Sequence, residues 1–458
     1  MDLREIIQAV GAEIILGADI IGTNNVGAKE SFANFIDGNF AYDVRLSTDT
    51  RTIQKGDLYL PLKGANFDGE NFCEQAIAQG AIGCFVTKNT YPKNAQIVLK
   101  VDDTLKTYLK IANFYRQKIN PKVVAITGSS GKTTTKELVF SVLSQKFKTV
   151  KTLSNHNNEI GLCQTIFSCT PETEVLIVEM GMRGMGEIEL LSRYAQPDIA
   201  IITNAGSAHL GRLGSLDNIA KAKCEIALHL NKNGTLIAED NPRIKKFNSF
   251  DGNCVYIAND NAQILERRSD YTKFLYEGQE FELNVSGDFN VTNSIFAILA
   301  GKKLGLTNNE IRQGLKSYKP IEKRWEMKEI LGLNIINDSY NANPESMVAS
   351  VRTFLNLYKN PVVVLGDMGE LGKDEGLIHA QVGEKLSEIT PKGTIFITVG
   401  ELSEKIADKL KDFEKYHFAD NKSAGEFIKN NVNKGSNVFF KASRAMKFEE
   451  IIEFLEKS

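Results

Sequence analysis

Almost wholly apolar runs alternate with helically spaced stretches along most of this chain. In the middle third, "VVAIT" (123–127), "VLIVEM" (175–180) and "IAIIT" (199–203) have the pattern of strands buried on both faces, as in a parallel sheet covered by helices. Before about residue 102 the elements are shorter: "DLYLPLKG", "AIGCFVT" and "QIVLKV" read as strands around one helix. The segment "DTLKTYLKIANFYRQKI" (103–119) has helical spacing and leads into the first middle strand. After "LKSYKPIEKRWEM" the rhythm restarts, and "LNIINDSY", "PVVVLGDM", "TIFITVG" and "NVFFKAS" read as four strands separated by helices. The pattern predicts an α/β protein of three domains: a smaller N-terminal α/β domain at 1–102, a central domain with a mostly parallel sheet at 103–319, and a last α/β domain at 320–458.

The length, 458 residues, also suggests about three domains. Apolar residues at 42% and charged residues at 24% place the chain among globular proteins. The 55 basic and 57 acidic side chains nearly cancel, so no global field draws nucleic acid, and any anion must be held by a local site. No apolar run approaches the ~20 residues of a membrane helix, and "MDLREIIQAVGAEIILG" lacks the basic lead and apolar block of a secretory signal. Six scattered cysteines without a C-x-x-C fit free thiols in a reducing compartment, which points to the cytoplasm.

The first middle strand runs into "TGSSGKTTT". The common phosphate loop, G-x-x-x-x-G-K-[ST], would place a glycine where Ile126 stands. Even so, Gly128 and Gly131 let the backbone turn so that its N–H groups converge on an anion, and the following helix adds its positive end. Gly128, Ser129, Ser130, Gly131, Lys132, Thr133 and Thr134 are thus candidate nucleotide contacts. Lys132 is placed to reach the β- and γ-phosphates and Thr133 to bind magnesium. A plain Gly/Ser turn with a surface lysine is the competing reading, and the order strand, loop, helix weighs against it.

Parallel sheets bind ligands at the carboxyl ends of their strands. There the second middle strand ends in Glu179, and "TNAGSAHLGRLGS" places His209 in a loop at the same edge. His209 is equally readable as a loop residue without a role. Next, "SLDNIAKAKCEIALHL" reads as a helix capped by Ser215, with Lys223 inside its apolar stripe and Lys221 off it. A lysine in such a stripe either snorkels outward or is kept inside for chemistry.

Together, "AITGSSGKTTTKE", "VEMGMRGMGEIELL", "TNAGSAHLGRLGS", "IAKAKCEI" and "NDSYNANPESM" resemble the Mur ligases of peptidoglycan synthesis over nearly the whole chain. That family uses the shorter loop T-G-x-x-G-K-T, which accounts for Ile126. The resemblance implies a UDP-substrate domain, a P-loop ATPase domain and a Rossmann-like C-terminal domain. "DSYNANPESM" and "NHNNEIG" point to the member that joins D-Ala-D-Ala to UDP-MurNAc-tripeptide. It implies ATP as cofactor, an acyl-phosphate route and two magnesium sites, Thr133 serving one and Glu179 and His209 the other. Lys223 matches a lysine that related ligases carbamylate with CO2, which would make it a catalytic residue and metal ligand beside Lys132, Glu179 and His209.

The resemblance also carries over Asn290 and Asn293 of "GDFNVTN" as adenine-side residues, with Phe289 where the family usually has histidine. Arg324 and Asp338 match contacts to phosphate and ribose. For the UDP-linked substrate it implies Thr50, Arg51 and Lys63, with Asn155, Asn157 and Asn158 near the tripeptide and Asn341 and Asn343 near the dipeptide. Asp338 is alternatively a strand-end turn acid. "GDMGELGKDE" and His379 read as a solvated connection. The expected protein is a monomer with small-molecule partners, no nucleic-acid partner and no membrane span. The rival readings are a folylpolyglutamate-synthetase-like ligase, a P-loop kinase or GTPase-like switch, and a silent binding module. Lys223 in its apolar stripe argues against the switch.

Overall fold

The computed structural model of the protein describes residues 1–17, 43–64, 66–258, 262–320 and 323–458, which form two units. The first comprises Met1–Pro121 and Leu153–Thr173. Its opening helix, Leu3–Val10, is capped by Asp2, stopped by Gly11 in the left-handed region, and buried along Leu3, Ile6, Ile7 and Val10. Strands β1 (Glu13–Leu16), β2 (Leu46–Ser47) and β3 (Leu58–Tyr59) follow, then the hairpin of β4 (Lys63–Gly64) and β5 (Phe67–Asp68), then β6 (Gly83–Val86) and β7 (Ile97–Lys100). The sheet order is β1-β7-β6-β3-β2, parallel except for β1. The expected strand in "DLYLPLKG" is split. Pro61, without an N–H for a ladder, separates β3 from β4. The helix Thr104–Ile119, capped by Asp103, meets the helix Glu159–Phe167 through the Tyr108–Phe167 ring pair at 5.3 Å.

The second unit comprises Lys122–Thr152 and Glu174–Ser458. Its first sheet contains β8 (Lys122–Thr127), β9 (Thr149–Lys151), β10 (Val175–Glu179), β11 (Ile199–Ile202), β12 (Thr235–Glu239) and β13 (Asn253–Ile257). All neighbours are parallel, in the order β13-β12-β11-β8-β10-β9. β8, the loop strand, lies between β10 and β11, and Glu179 pairs in register with Ile126 while Ile202 pairs with Thr127. The three middle runs therefore end side by side at one edge. Behind them the helix Lys132–Leu143 packs on the helix Asp288–Lys303, and Leu138, Val139, Val142 and Phe296 are fully buried.

β14 (Ala262–Arg268), β15 (Tyr271–Tyr276) and β16 (Gln279–Leu283) form an antiparallel meander absent from the sequence-based expectation. β15 alternates half-buried with buried positions, a period-2 pattern that looks for apolar runs pass over. The last sheet, β17-β18-β22-β19-β20-β21, contains the four expected strands as β18 (Leu333–Asn337), β19 (Pro361–Gly366), β20 (Ile395–Val399) and β22 (Asn437–Lys441). Two more complete it. β17 (Glu326–Ile330) is antiparallel, and β21 (Glu414–Phe418) is an edge strand too polar to stand out as a strand. No helix among the described residues is long and apolar enough to cross a membrane.

Candidate active site

At the end of β8 the chain turns at Gly128 and Gly131, both at positive φ (154° and 76°). A Cβ at Gly131 would stand 2.7 Å from Asn293 Oδ1, so glycine is needed there for space as well as conformation. Gly131 is also the N-cap of the Lys132–Leu143 helix and offers no side-chain cap, which leaves the helix's first N–H groups open to an anion. Lys132 folds back, its Nζ donating to Gly128 O at 2.8 Å. Burial pulls the Lys132 ammonium below its ordinary range, with Glu179 opposing and Arg324 adding to the shift.

Asn204, one residue past Thr203 at the end of the β11 segment, braces the loop. Its Oδ1 accepts from the Ser129 and Ser130 N–H groups at 3.1 and 2.9 Å, and its Nδ2 donates to Ser130 Oγ at 2.9 Å. Thr203 Oγ1 donates to Ser130 O at 2.6 Å. Sequence reasoning missed Asn204, although it lies inside the quoted "TNAGSAH". Thr134 is buried in the helix's first turn.

Glu179 closes β10 and is 5% exposed, with Lys136 Nζ 3.6 Å from its carboxylate. Lys136, itself 1% exposed, also meets Glu137 at 3.4 Å and was not foreseen, though it stands one helical turn past Lys132. Ser215 caps the helix Leu216–Cys224 as expected, accepting from Asn218 N–H. Within that helix Lys221 is exposed, whereas Lys223 is fully buried and its Nζ has no hydrogen-bond partner. Lys223 does not snorkel. Burial pushes its pKa well below the usual lysine range, Lys132 adding to the shift and Glu225 opposing it.

His209 sits in the left-handed region at φ 66°, just before the short helix Leu210–Leu213. Burial lowers its pKa, Glu370 opposes, and the charges of Lys223 and Lys132 add to the lowering. Lys132 is thus within electrostatic reach of Glu179, His209 and Lys223. Among the described residues no group of three His, Cys, Asp or Glu side chains could by itself hold a metal. Magnesium needs only one or two protein carboxylates beside phosphate and water. The Thr133 hydroxyl and the Glu179 carboxylate suit it, and the orphaned Lys223 amine is what a carbamate would resolve.

Asn293 Oδ1 accepts from Thr135 Oγ1 at 3.2 Å, while Asn290 Nδ2 donates to Ser286 O at 2.6 Å. Phe289 packs edge-on against Trp325 at 5.9 Å. Arg324 lies 4.0 Å over the Tyr340 ring and donates to Thr133 Oγ1 at 3.1 Å, so the last sheet's side of the unit reaches the phosphate loop. Asp338 accepts from Lys441 Nζ at 2.6 Å and from Ser350 Oγ at 2.8 Å. Asn341 is exposed, its carbonyl 3.3 Å from Lys441 Nζ, whereas Asn343 caps the helix Pro344–Leu357 in a reciprocal box with Ser346.

Two further acids meet the His209 loop. Glu345 accepts from Ser207 N–H at 3.1 Å and Ser207 Oγ at 2.7 Å. Glu370 pairs with His209 Nδ1 and lies 3.4 Å from Arg212. The "GDMGELGKDE" connection is therefore not simply solvated. Met368 and Leu371 are buried, and His379, fully buried, accepts from Met368 N–H at 2.9 Å and donates from Nδ1 to Glu375 O at 2.7 Å.

The remaining candidates lie in the first unit. Thr50 opens a 3-10 turn and is partly exposed. Arg51 forks onto Asp49 with Nη2 at 2.6 Å, and Lys63 is exposed, 3.8 Å from Asp68. Asn155 is exposed, Asn157 N–H donates to Asn155 O at 2.8 Å, and Asn158 caps the Glu159–Phe167 helix.

A parallel sheet whose carboxyl edge carries a short glycine loop, a lysine directly after its second glycine and an uncapped helix start defines a P-loop enzyme of nucleotide chemistry. The chain belongs to the Mur ligase family. Its residues 126–301 match the Mur ligase middle domain, 323–444 the glutamate ligase domain and 45–126 the family's catalytic domain. The chain is similar to UDP-N-acetylmuramoyl-tripeptide–D-alanyl-D-alanine ligase of Bacillus subtilis (strain 168), 39% identical over 90% of this chain and 93% of that one. Among solved structures, MurF from Acinetobacter baumannii aligns with a TM-score of 0.87 at 26% identity, covering 100% and 99% of the two chains. MurF ligase from Thermotoga maritima, in complex with ADP, aligns with a TM-score of 0.80 at 28% identity, covering 90% and 97%.

Proposed function

We propose that the protein joins D-alanyl-D-alanine to UDP-N-acetylmuramoyl-tripeptide, using ATP and releasing ADP and phosphate, to give UDP-MurNAc-pentapeptide for peptidoglycan synthesis. The observation that carries the reading is the glycine loop that ends β8, with Lys132 Nζ folded onto Gly128 O, an uncapped helix start, and Glu179 ending the neighbouring strand. The end-to-end likeness to ligases of that name supports the choice of substrates.

The tripeptide carboxylate attacks the γ-phosphorus of ATP, so an anion must approach a polyanion and the barrier is largely electrostatic. The loop N–H groups and Lys132 hold the phosphates and offset charge on the transferring group. Thr133 would hold one magnesium ion, and Glu179, His209 and a carbamylated Lys223 a second; bound magnesium supplies charge neutralisation of the phosphates. The neutral Lys223 amine bonds to the carbon of CO2 and loses a proton to water, turning an orphaned buried nitrogen into an anionic ligand. The acyl phosphate is then attacked by the dipeptide amine, phosphate leaving. Arg324, which donates to Thr133 Oγ1, and Asp338 would help exclude water from this intermediate.

In this reading residues 1–102 bind the UDP-linked substrate with Thr50, Arg51 and Lys63, residues 103–319 activate it, and residues 320–458 close on the nucleotide. Asn155, Asn157 and Asn158 would serve the tripeptide and Asn341 and Asn343 the dipeptide. The enzyme works as a monomer in the cytoplasm, where ATP and the UDP-linked precursor are found. The test is incubation with ATP, magnesium and UDP-MurNAc-tripeptide, with and without D-Ala-D-Ala. A ligase releases equimolar ADP and phosphate only with both acceptors and forms the pentapeptide. Phosphate transfer to a hydroxyl, or no product, would refute it.

A further inference from the structure

The connection Gly366–Asp374 belongs to the last sheet, yet its tip touches the loop that bears His209. Gly211 N–H donates to Glu370 O at 3.0 Å, and a Cβ on Gly211 would stand 2.5 Å from Gly372 N. On the two sides of this seam His209 and Glu370 both occupy the left-handed region, at φ 66° and 63°, a conformation that side chains adopt only under constraint. The Glu370 carboxylate lies against His209 Nδ1 and within 3.4 Å of Arg212.

This strain is poorly explained as a device for stability. The Glu370 side chain is 42% exposed, and ion pairs so open to water contribute little. The tip that presents it is nevertheless held firmly. Met368 and Leu371 are buried, the buried His379 ring accepts from Met368 N–H, and Asp367 accepts from Ser403 N–H at 2.7 Å. Rigid support beneath an exposed carboxylate, held beside one nitrogen of one imidazole, fits a part that sets orientation.

An imidazole binds a cation through one nitrogen, and a carboxylate on the other nitrogen fixes the tautomer and turns the ring. We propose that Glu370 is a positioning residue of the ligation reaction: it keeps the proton of His209 on Nδ1 and presents Nε2 to the cation site. Glu345 anchors the other end of the same loop through Ser207. Because both acids come from the part after residue 320, His209 is correctly turned only while that part is seated on the first parallel sheet of the unit. Substrate activation is thereby tied to docking of the last sheet. This inference rests on the ligase reading and on a cation at His209, but its first test needs neither.

The test uses full-length protein labelled with 15N on histidine, free of nucleotide and metal, with His209→Gln assigning the signal among five histidines. Long-range 1H–15N spectra above pH 8 should show His209 protonated at Nδ1 in the wild type and in Glu370→Gln, whose amide oxygen still accepts. The signal should shift to the Nε2–H form, or to an exchanging mixture, in Glu370→Ala. Manganese titration in the presence of ADP should then show affinity lowered roughly 10–100-fold in Glu370→Ala and within about threefold of wild type in Glu370→Gln. An Nε2–H wild type overturns the proposal even if Glu370→Ala fails to fold, and so does a Glu370→Ala protein with wild-type tautomer and affinity. Failure of the wild type to form pentapeptide would instead strike the ligase reading and leave the tautomer result standing.

Discussion

Lys223 shows what one side chain can decide. Its helix buries the stripe in which it stands, and a charged ammonium there has no partner to offset the loss of water. The amine is therefore biased towards its neutral, nucleophilic form, the form that captures CO2. Native mass spectrometry should find the protein heavier by one carboxyl group under bicarbonate, the increment vanishing after mild acid and in Lys223→Arg. Ligation by CO2-depleted enzyme should fall and recover on adding bicarbonate, and a rate indifferent to CO2 would remove the carbamate from the mechanism. Lys132 is the complementary case: its Nζ folds onto Gly128 O, and Glu179 opposes the lowering of its pKa by burial. Lys132→Ala should lower kcat by at least 10²–10³-fold with an unchanged melting temperature. Retention of a tenth of the normal rate would contradict its role.

At the scale of elements, the glycine loop and the 366–374 connection each contain a closely fitted position. Gly131→Ala meets Asn293 and a positive φ together, so it should cost about 1–2 kcal/mol of stability and weaken ADP binding more than tenfold by calorimetry. His379 pins the connection from inside, and His379→Ala, leaving a cavity and an unpaired Met368 N–H, should cost about 2–4 kcal/mol in urea unfolding. Burial lowers the His379 pKa, so the unfolded chain takes up the proton first. Its contribution is complete above the unfolded value of about 6.5 and is lost as pH falls from there towards the folded value. The melting temperature of the wild type should therefore drop between pH 7.5 and 5.5 by more than that of His379→Ala. The parallel strands were legible because continuous apolar runs have few other uses. The β14–β16 meander and edge strand β21 were not, since alternation and polarity there hide a ladder that only neighbouring strands complete.

Over the whole molecule, the sequence was most informative where chemistry and local geometry coincide. Gly128, Gly131 and Lys132 announce their loop because spacing alone dictates its shape, and Lys223 betrays itself by interrupting an apolar stripe. Asn204, Glu345 and Glu370 were overlooked because their work depends on what the fold brings opposite them. Asn204 reaches back 74 positions to Ser130, and Glu345 reaches across 138 to Ser207. Asn343 illustrates the converse: "NANPESM" does not announce that its side chain caps a helix.

The meeting of Gly211 with Gly372 has a further consequence. Two main chains touch there without a side chain between them, a Cβ on either lying within 2.7 Å of the other's backbone. Such a joint works as an end-stop: travel of one part against the other halts at a spacing set by peptide atoms, which do not swap rotamers. Even a methyl group at either position would act as a shim.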